Sequence, residues 1–338
     1  MELFLDIVFF AVGLALIVKG ADWLTDGAAN IAHRFGIPTL VIGLTIVAIG
    51  TSAPEFVVSM LGAIHKSPDI AIGNVVGSNI FNILGMIGCT AMISPILLTR
   101  NNVLRDLPIM TLAVGMLLVL LADNLFEEGV SNTLSRGDGL ILMGLFLMFM
   151  YYTVWLATRE KKKKRSQWEI EENEELQEKL ESQTKKQSVW ISVLLFLLGL
   201  GCLIGGGELM VDGASGIARA LGVSDAIIAL TIVSIGTSAP ELATSITAAR
   251  KGDNAMAIGN VVGSVVFNAL LILGASALVF PLPMKGITYI DMLVQVCAAI
   301  FFWIICFKGK KRYVITRTEG FIMVLMQIAY YVYLVVNK

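Results

Sequence analysis

The sequence predicts an all-α membrane protein whose ten transmembrane helices form two inverted five-helix repeats. Three observations lead there: a composition too apolar for water, a duplication with a fixed offset, and basic residues that sort to one side of the membrane. Of 338 residues, 56% are hydrophobic and 15% charged, with a mean hydropathy of +0.79. A soluble domain carries charge on roughly a quarter of its residues, so this chain lacks the polar surface that water demands. Apolar runs of about 20 residues, enough to cross a bilayer, recur from end to end.

Read in order, the candidate spans lie near 3–21, 38–64, 70–94, 106–123, 138–157, 189–210, 223–249, 255–281, 286–307 and 315–336. Met1-Glu2-Leu3-Phe4 lacks the basic start of a cleavable signal, so the first run is expected to be a retained helix. The one long polar stretch, Arg159 to Gln187, holds Lys161 to Arg165 and then a glutamate-rich run from Glu169 to Glu181. It shows none of the alternating aspartates of a calcium-binding loop and reads as a solvated linker. The expected division is therefore a first repeat at 1–158, a charged cytoplasmic linker at 159–187 and a second repeat at 188–338. Cys89, Cys202, Cys297 and Cys306 fall in or beside apolar runs without Cys-x-x-Cys spacing, which suggests neither a disulfide frame nor a zinc site.

The duplication is exact in register. GLTIVAIGTSAPE, ending at Glu55, returns as ALTIVSIGTSAPE, ending at Glu241. AIGNVVGSNIFN, ending at Asn82, returns as AIGNVVGSVVFN, ending at Asn268. Asp26-Gly27-Ala28 likewise returns as Asp212-Gly213-Ala214, and all three matches are 186 residues apart. Each half holds five spans, an odd number, so the second copy must enter the membrane upside down.

The basic residues test this independently, because cytoplasmic loops collect Lys and Arg. With the central linker inside, nineteen basic residues lie in inside loops and five (Lys66, Arg136, Arg219, Lys285, Lys338) in outside segments. Both termini are then extracytoplasmic, in a plasma (inner) membrane. Because the basic residues follow topology and the net charge is −1, nothing points to a nucleic-acid partner. The bilayer is the expected surrounding, and a site at the midplane between inverted repeats is a recurring plan of secondary transporters.

Glu55 and Glu241 sit midway along the second and seventh spans. An ionisable group at that depth costs several kcal/mol unless paired or hydrated, and marks a functional site by default. The plain alternative, a packing glutamate bonded to a neighbouring helix, does not explain its presence in both copies of the best-kept motif. Pro54 and Pro240 cannot donate to the carbonyls of Gly50 and Gly236, which loosens the helix beside each carboxylate. Thr51, Ser52, Thr237 and Ser238 add oxygens within a turn. On the next helix Ser78 and Asn82 share a face, as do Ser264 and Asn268. Every donor is a hard oxygen, which suits calcium or an alkali ion rather than zinc, copper or iron. Two carboxylates also neutralise one divalent ion.

At these residues the sequence resembles the cation/calcium exchanger superfamily, whose two repeats carry Gly-Thr-Ser-Ala-Pro-Glu (here Gly50–Glu55 and Gly236–Glu241) followed by Gly-Asn-x-x-Gly-Ser (here Gly73–Ser78 and Gly259–Ser264). The nearest likeness is to prokaryotic sodium/calcium exchangers, over essentially the whole chain. The resemblance implies an antiporter rather than an enzyme, with calcium and sodium as cargo and no cofactor. It implies that Glu55, Glu241 and the carbonyls of Thr51 and Thr237 hold calcium. Sodium would add Ser52, Ser238, Ser78, Ser264 and the carbonyls of Ala48 and Ser234, with Asn82 and Asn268 lining the middle. Many relatives, including the potassium-dependent branch, have aspartate where this chain has Asn268, which speaks against potassium co-transport. A calcium/proton antiporter of the same superfamily is the alternative reading. An intramembrane aspartyl protease and a passive channel fit less well: no Gly-x-Gly-Asp motif is present, and a two-carboxylate cage binds too strongly for conduction.

Overall fold

The computed structural model describes residues 2–35, 37–126, 131–160, 188–221, 234–284, 286–307 and 313–337. The expected linker beyond Glu160 and residues 222–233 of the expected seventh span lie outside these described residues. The first half contains α1 (Glu2–Phe35), α2 (Thr39–Thr51), α3 (Ala53–Ile64), α4 (Pro68–Ile93), α5 (Asn102–Leu120) and α6 (Arg136–Glu160). The second contains α7 (Val189–Ala220), α8 (Ser234–Thr237), α9 (Ala239–Arg250), α10 (Asn254–Val279), α11 (Tyr289–Ile305) and α12 (Arg317–Asn337).

Among the described residues, seven helices are long and apolar enough to cross a membrane, or eight if α2 and α3, bent by 50°, form one span. The chain is thus an all-helical, multi-pass membrane protein. Of the two further spans expected from sequence, α11 is apolar but 17 residues long, about 25 Å by helical rise. The other lies partly outside the described residues.

Two boundaries differ from the sequence reading. Helix α1 runs 34 residues, to Phe35 rather than 21, and α7 runs to Ala220 rather than 210. The apolar run of α1 stops at Asp22 and Asp26, but the helix continues to Phe35, and these acids meet a cation. Lys251 Nζ lies 2.9 Å from Asp26 Oδ1 and 3.4 Å from Asp22 Oδ1, and donates to Thr25 Oγ1 at 3.0 Å. The lysine follows α9, so this contact also joins the first helix to the second half.

Burial sets α4 and α10 apart: their most apolar windows are 78% and 83% buried, against 17% for α1, 28% each for α6, α7 and α12, and 39% for α5. Leu3, Phe4, Ile7 and Phe10 of α1 and Trp190, Leu194 and Leu197 of α7 are exposed, as lipid-facing side chains must be. The pair is held by backbone approach. A Cβ on Gly13 would stand 2.5 Å from Met210 N, on Gly20 2.8 Å from Gly199 O, and on Gly27 2.6 Å from Ser192 O. From α7, a Cβ on Gly206 would stand 2.9 Å from Gly13 O, and on Gly199 2.5 Å from Leu24 N. The contacts advance along α1 as they retreat along α7, so the helices are antiparallel. Spaced seven apart, these glycines keep one face of each helix bare, and small residues at such interfaces let van der Waals contact replace the hydrophobic drive that lipid removes.

Among the described residues, four two-residue strands join the halves. β1 (Ile96–Leu97) pairs antiparallel with β4 (Val314–Ile315), and β2 (Thr133–Leu134) with β3 (Leu282–Pro283). Each ladder links a loop of one half to a loop of the other. Ile96 and Leu282 are themselves 186 residues apart, so the duplication carries a strand of one ladder onto a strand of the other.

The glycine seam gives a direct expectation. Gly206→Leu forces α1 and α7 apart and costs about 1–3 kcal/mol, read as a lower Tm of the purified protein. Gly144→Leu, where nothing lies within 4 Å of the added Cβ, leaves Tm unchanged.

Candidate functional site

The chain breaks its helix twice, each time just before a glutamate. Ser52, between α2 and α3, has φ −82° and ψ 10°, and Ser238, between α8 and α9, has φ −88° and ψ 4°. Proline occupies the first turn of the helix that follows in both cases, where its missing N–H is harmless. Glu55 and Glu241 then lie in the first turns of α3 and α9, where the helix dipole favours a carboxylate. The carbonyl end of the preceding segment meets the same point and favours a cation. One detail departs from the sequence reading. The Gly50 carbonyl that Pro54 cannot serve is not left free, because a backbone N–H at the cap tightens onto it. Gly50 also admits Leu200 of α7, 3.0 Å from where a Cβ would stand.

Both carboxylates are fully buried, and each is held from the opposite half. Ser52 Oγ donates to Glu241 Oε1 at 2.8 Å, and Ser238 Oγ donates to Glu55 Oε1 at 3.0 Å. Sequence spacing placed each serine beside its own glutamate; the fold crosses them. This arrangement brings the two glutamates together. Neither Glu55 Oε2 nor Glu241 Oε2 has a hydrogen-bond partner in the protein, and the same is true of Ser78 Oγ, Ser264 Oγ and both amide atoms of Asn82 and Asn268. All six of these residues are buried. A buried polar group without a partner costs about 1–3 kcal/mol, so the oxygens of this set are available to a bound ion or to water.

Thr51 is buried and donates through Oγ1 to Val47 O at 3.1 Å and to Asn260 Oδ1 at 3.2 Å. Ala48 is buried at the start of the last turns of α2; Thr237 is half-buried, and Ser234 opens α8. Asn82 and Asn268 each sit in a π-helical turn, Phe81–Met86 and Phe267–Ile272. Such turns are rare and concentrate at functional sites.

The sequence reading passed over four residues. Asn74 Nδ2 donates to Glu55 O at 3.1 Å and to Ser59 Oγ at 2.9 Å. Asn260 Nδ2 repeats both bonds, to Glu241 O at 3.1 Å and Ser245 Oγ at 2.9 Å. These amides clamp the backbone that carries each carboxylate. Both pairs recur at the 186-residue offset, a signal available in the sequence. Of the motif glycines read as packing residues, those of the second repeat behave so: a Cβ on Gly259 would stand 2.6 Å from Leu40 O, and on Gly263 2.8 Å from Leu44 O, so α2 lies directly on α10; a Cβ on Gly73 would meet only the Ile287 side chain, at 3.2 Å. Among the described residues, no three His, Cys, Asp or Glu side chains gather as a metal centre. The donors beyond the two carboxylates are hydroxyls and amides.

A multi-pass helical fold with two buried carboxylates and a shell of hard oxygens shared between its halves defines a cation-exchanging membrane antiporter. The chain belongs to the sodium/calcium exchanger protein family, whose model matches residues 5–155 and 191–336. It is 35% identical over 324 residues to the putative antiporter CaxA of Alkalimonas amylolytica, covering 96% of each chain. It is 33% identical over 302 residues to the inner membrane protein YrbG of Escherichia coli (strain K12), covering 89% of this chain and 88% of that one. Among solved structures, it matches the sodium-calcium exchanger NCX_Mj soaked with 10 mM Na+ and zero Ca2+, with a TM-score of 0.79 and 31% identity over 97% of this chain and 98% of that one.

The clamps should differ in weight. Asn260 is fully buried and also receives Thr51, whereas Asn74 is half-buried. Asn260→Leu is expected to lower stability by about 2–4 kcal/mol, because it strands several buried groups at once. Asn74→Leu costs less, and paired thermal melts would show the order.

Proposed function

We propose that this antiporter exchanges calcium for sodium by alternating access at one site built from both halves. The observation that carries the reading is the set of buried oxygens without protein partners: one on each glutamate, the hydroxyls of Ser78 and Ser264 and the amide oxygens of Asn82 and Asn268. Calcium takes six to eight oxygens, and two ionised glutamates balance its charge. Glu55, Glu241 and the carbonyls of Thr51 and Thr237 are the calcium ligands in this reading. Sodium uses the same glutamates with Ser52, Ser238, Ser78, Ser264 and the carbonyls of Ala48 and Ser234, while Asn82 and Asn268 line the centre. Shared oxygens make the two loads exclusive, which is what couples their opposing fluxes. A load of more than two sodium ions exceeds the charge of two glutamates and makes transport voltage-sensitive.

In this account the chain has ten spans in two inverted repeats, 1–158 and 188–338, joined by a cytoplasmic linker at 159–187, with both termini outside the cytoplasm of a plasma membrane. The cross-paired strand ladders support the inversion, since the duplication exchanges β1 for β3 and so places equivalent loops in different ladders. Helices α1 and α7, joined to each other by glycines, are the pair that slides over the rest.

The test is calcium-45 uptake into proteoliposomes with an outward sodium, potassium or proton gradient imposed in turn. Sodium-driven uptake, indifferent to potassium and reduced to background by Glu55→Gln or Glu241→Gln, is expected. Uptake driven by the proton gradient alone would replace this reading with calcium/proton exchange.

A further inference from the structure

The two halves match residue for residue at the ends of α3 and α9, yet α1 and α7 treat those ends differently. His65 and Lys251, 186 residues apart, follow the two helices with nearly the same backbone, at φ −82° and −78°. The next residue is left-handed in both, Lys66 at φ 57° and Gly252 at φ 84°. By the same offset Asp22, Thr25 and Asp26 of α1 correspond to Glu208, Val211 and Asp212 of α7. Each half therefore supplies one acidic pair on a long helix and one basic side chain at a helix end.

One of the two possible contacts is made. Lys251 Nζ donates to Asp22 O at 3.1 Å, to Thr25 Oγ1 at 3.0 Å and to Asp26 Oδ1 at 2.9 Å. An ammonium has three donors, and all three end on α1. Helix α1 packs against α9, and Ala243 of α9 joins the buried cluster that holds Ala21, Leu24 and Ala28 of α1. Helix α7 packs on α8 and α9 but has no comparable packing on α3. Val211, the counterpart of Thr25, lies against Gly236 at the break of the second half. His65, Glu208 and Asp212 are exposed, and Val57, the counterpart of Ala243, is 53% exposed.

We propose that Lys251 is a positioning residue for exchange, a latch whose grip on Asp22, Thr25 and Asp26 holds the α1–α7 pair over α9. In the opposite state the latch opens, α7 covers α3, and His65 meets Glu208 and Asp212 instead. The latch presupposes the alternating access proposed for the glutamate site, whatever ions that site carries. In the inverted arrangement α9 and α3 run from the glutamates to opposite faces, so each contact closes one face. A contact present in one state and absent from the other shifts their balance by its own free energy. The two latches are unequal: histidine has fewer donors than lysine, and Val211 offers no side-chain acceptor where Thr25 does. The state with Lys251 engaged is the favoured one.

The test uses the full-length protein in proteoliposomes, with Cys89, Cys202, Cys297 and Cys306 replaced by alanine and with His65→Cys and Asp212→Cys introduced. The rate at which a short bifunctional thiol reagent links the two new cysteines reports how often α7 reaches α3. Lys251→Gln is expected to raise that rate about two- to five-fold, whereas Lys251→Arg, which keeps the charge, leaves it near its starting value. Asp22→Asn with Asp26→Asn should act like Lys251→Gln and serves if that variant does not fold. A linking rate that neither Lys251→Gln nor the double Asn variant changes overturns the latch while leaving alternation intact. Absence of the link from every variant overturns both. A different driving ion would correct the calcium/sodium reading without altering this measurement.

Discussion

Glu55 and Glu241 are buried side by side in a membrane interior, where an isolated carboxylate costs several kcal/mol and two near neighbours repel as well. Everything else in the structure answers to that cost. Each carboxylate is set in the first turn of a helix, where backbone N–H groups and the dipole favour negative charge. Each takes a serine hydroxyl from the opposite half and has its own carbonyl fixed by an asparagine amide. What remains is one oxygen on each glutamate without a partner in the protein, and it is there that the proposed exchange places its cation.

The duplication explains why so little sequence achieves this. One copy of the duplicated motif cannot supply two opposed carboxylates; two copies can, provided their broken helices meet. The crossed Ser52–Glu241 and Ser238–Glu55 bonds make each glutamate depend on the other half, so the site exists only when both halves pack together. The outer pair α1–α7 uses the same economy: glycines at 13, 20 and 27 and their counterparts at 199, 206 and 213 give two faces that fit each other.

Much of this was legible in the sequence because membrane spans and repeats are local, periodic signals. The apolar runs located most helices within a few residues, and the doubled motif singled out both glutamates and the serines and asparagines that the structure buries around them. Three features were not legible. Helix α1 continues past Asp22 and Asp26, where Lys251, more than two hundred residues away, meets them. The serines cross between halves, which spacing within one motif cannot reveal. The π-helical turns at Asn82 and Asn268 leave no mark on hydropathy. Asn74 and Asn260 stood inside the repeated motif, yet their role depends on a carbonyl of a neighbouring helix.

The claim on which the account turns is that two glutamates from different halves make one site. Equilibrium calcium binding to the purified protein, for wild type and for Glu55→Gln and Glu241→Gln singly, tests it most directly, with sodium added as competitor at fixed pH. The account predicts that sodium displaces calcium from the wild type and that either substitution alone abolishes binding. Calcium binding that survives in one single variant, or falls only by half in each, would mean two separate sites and would contradict it.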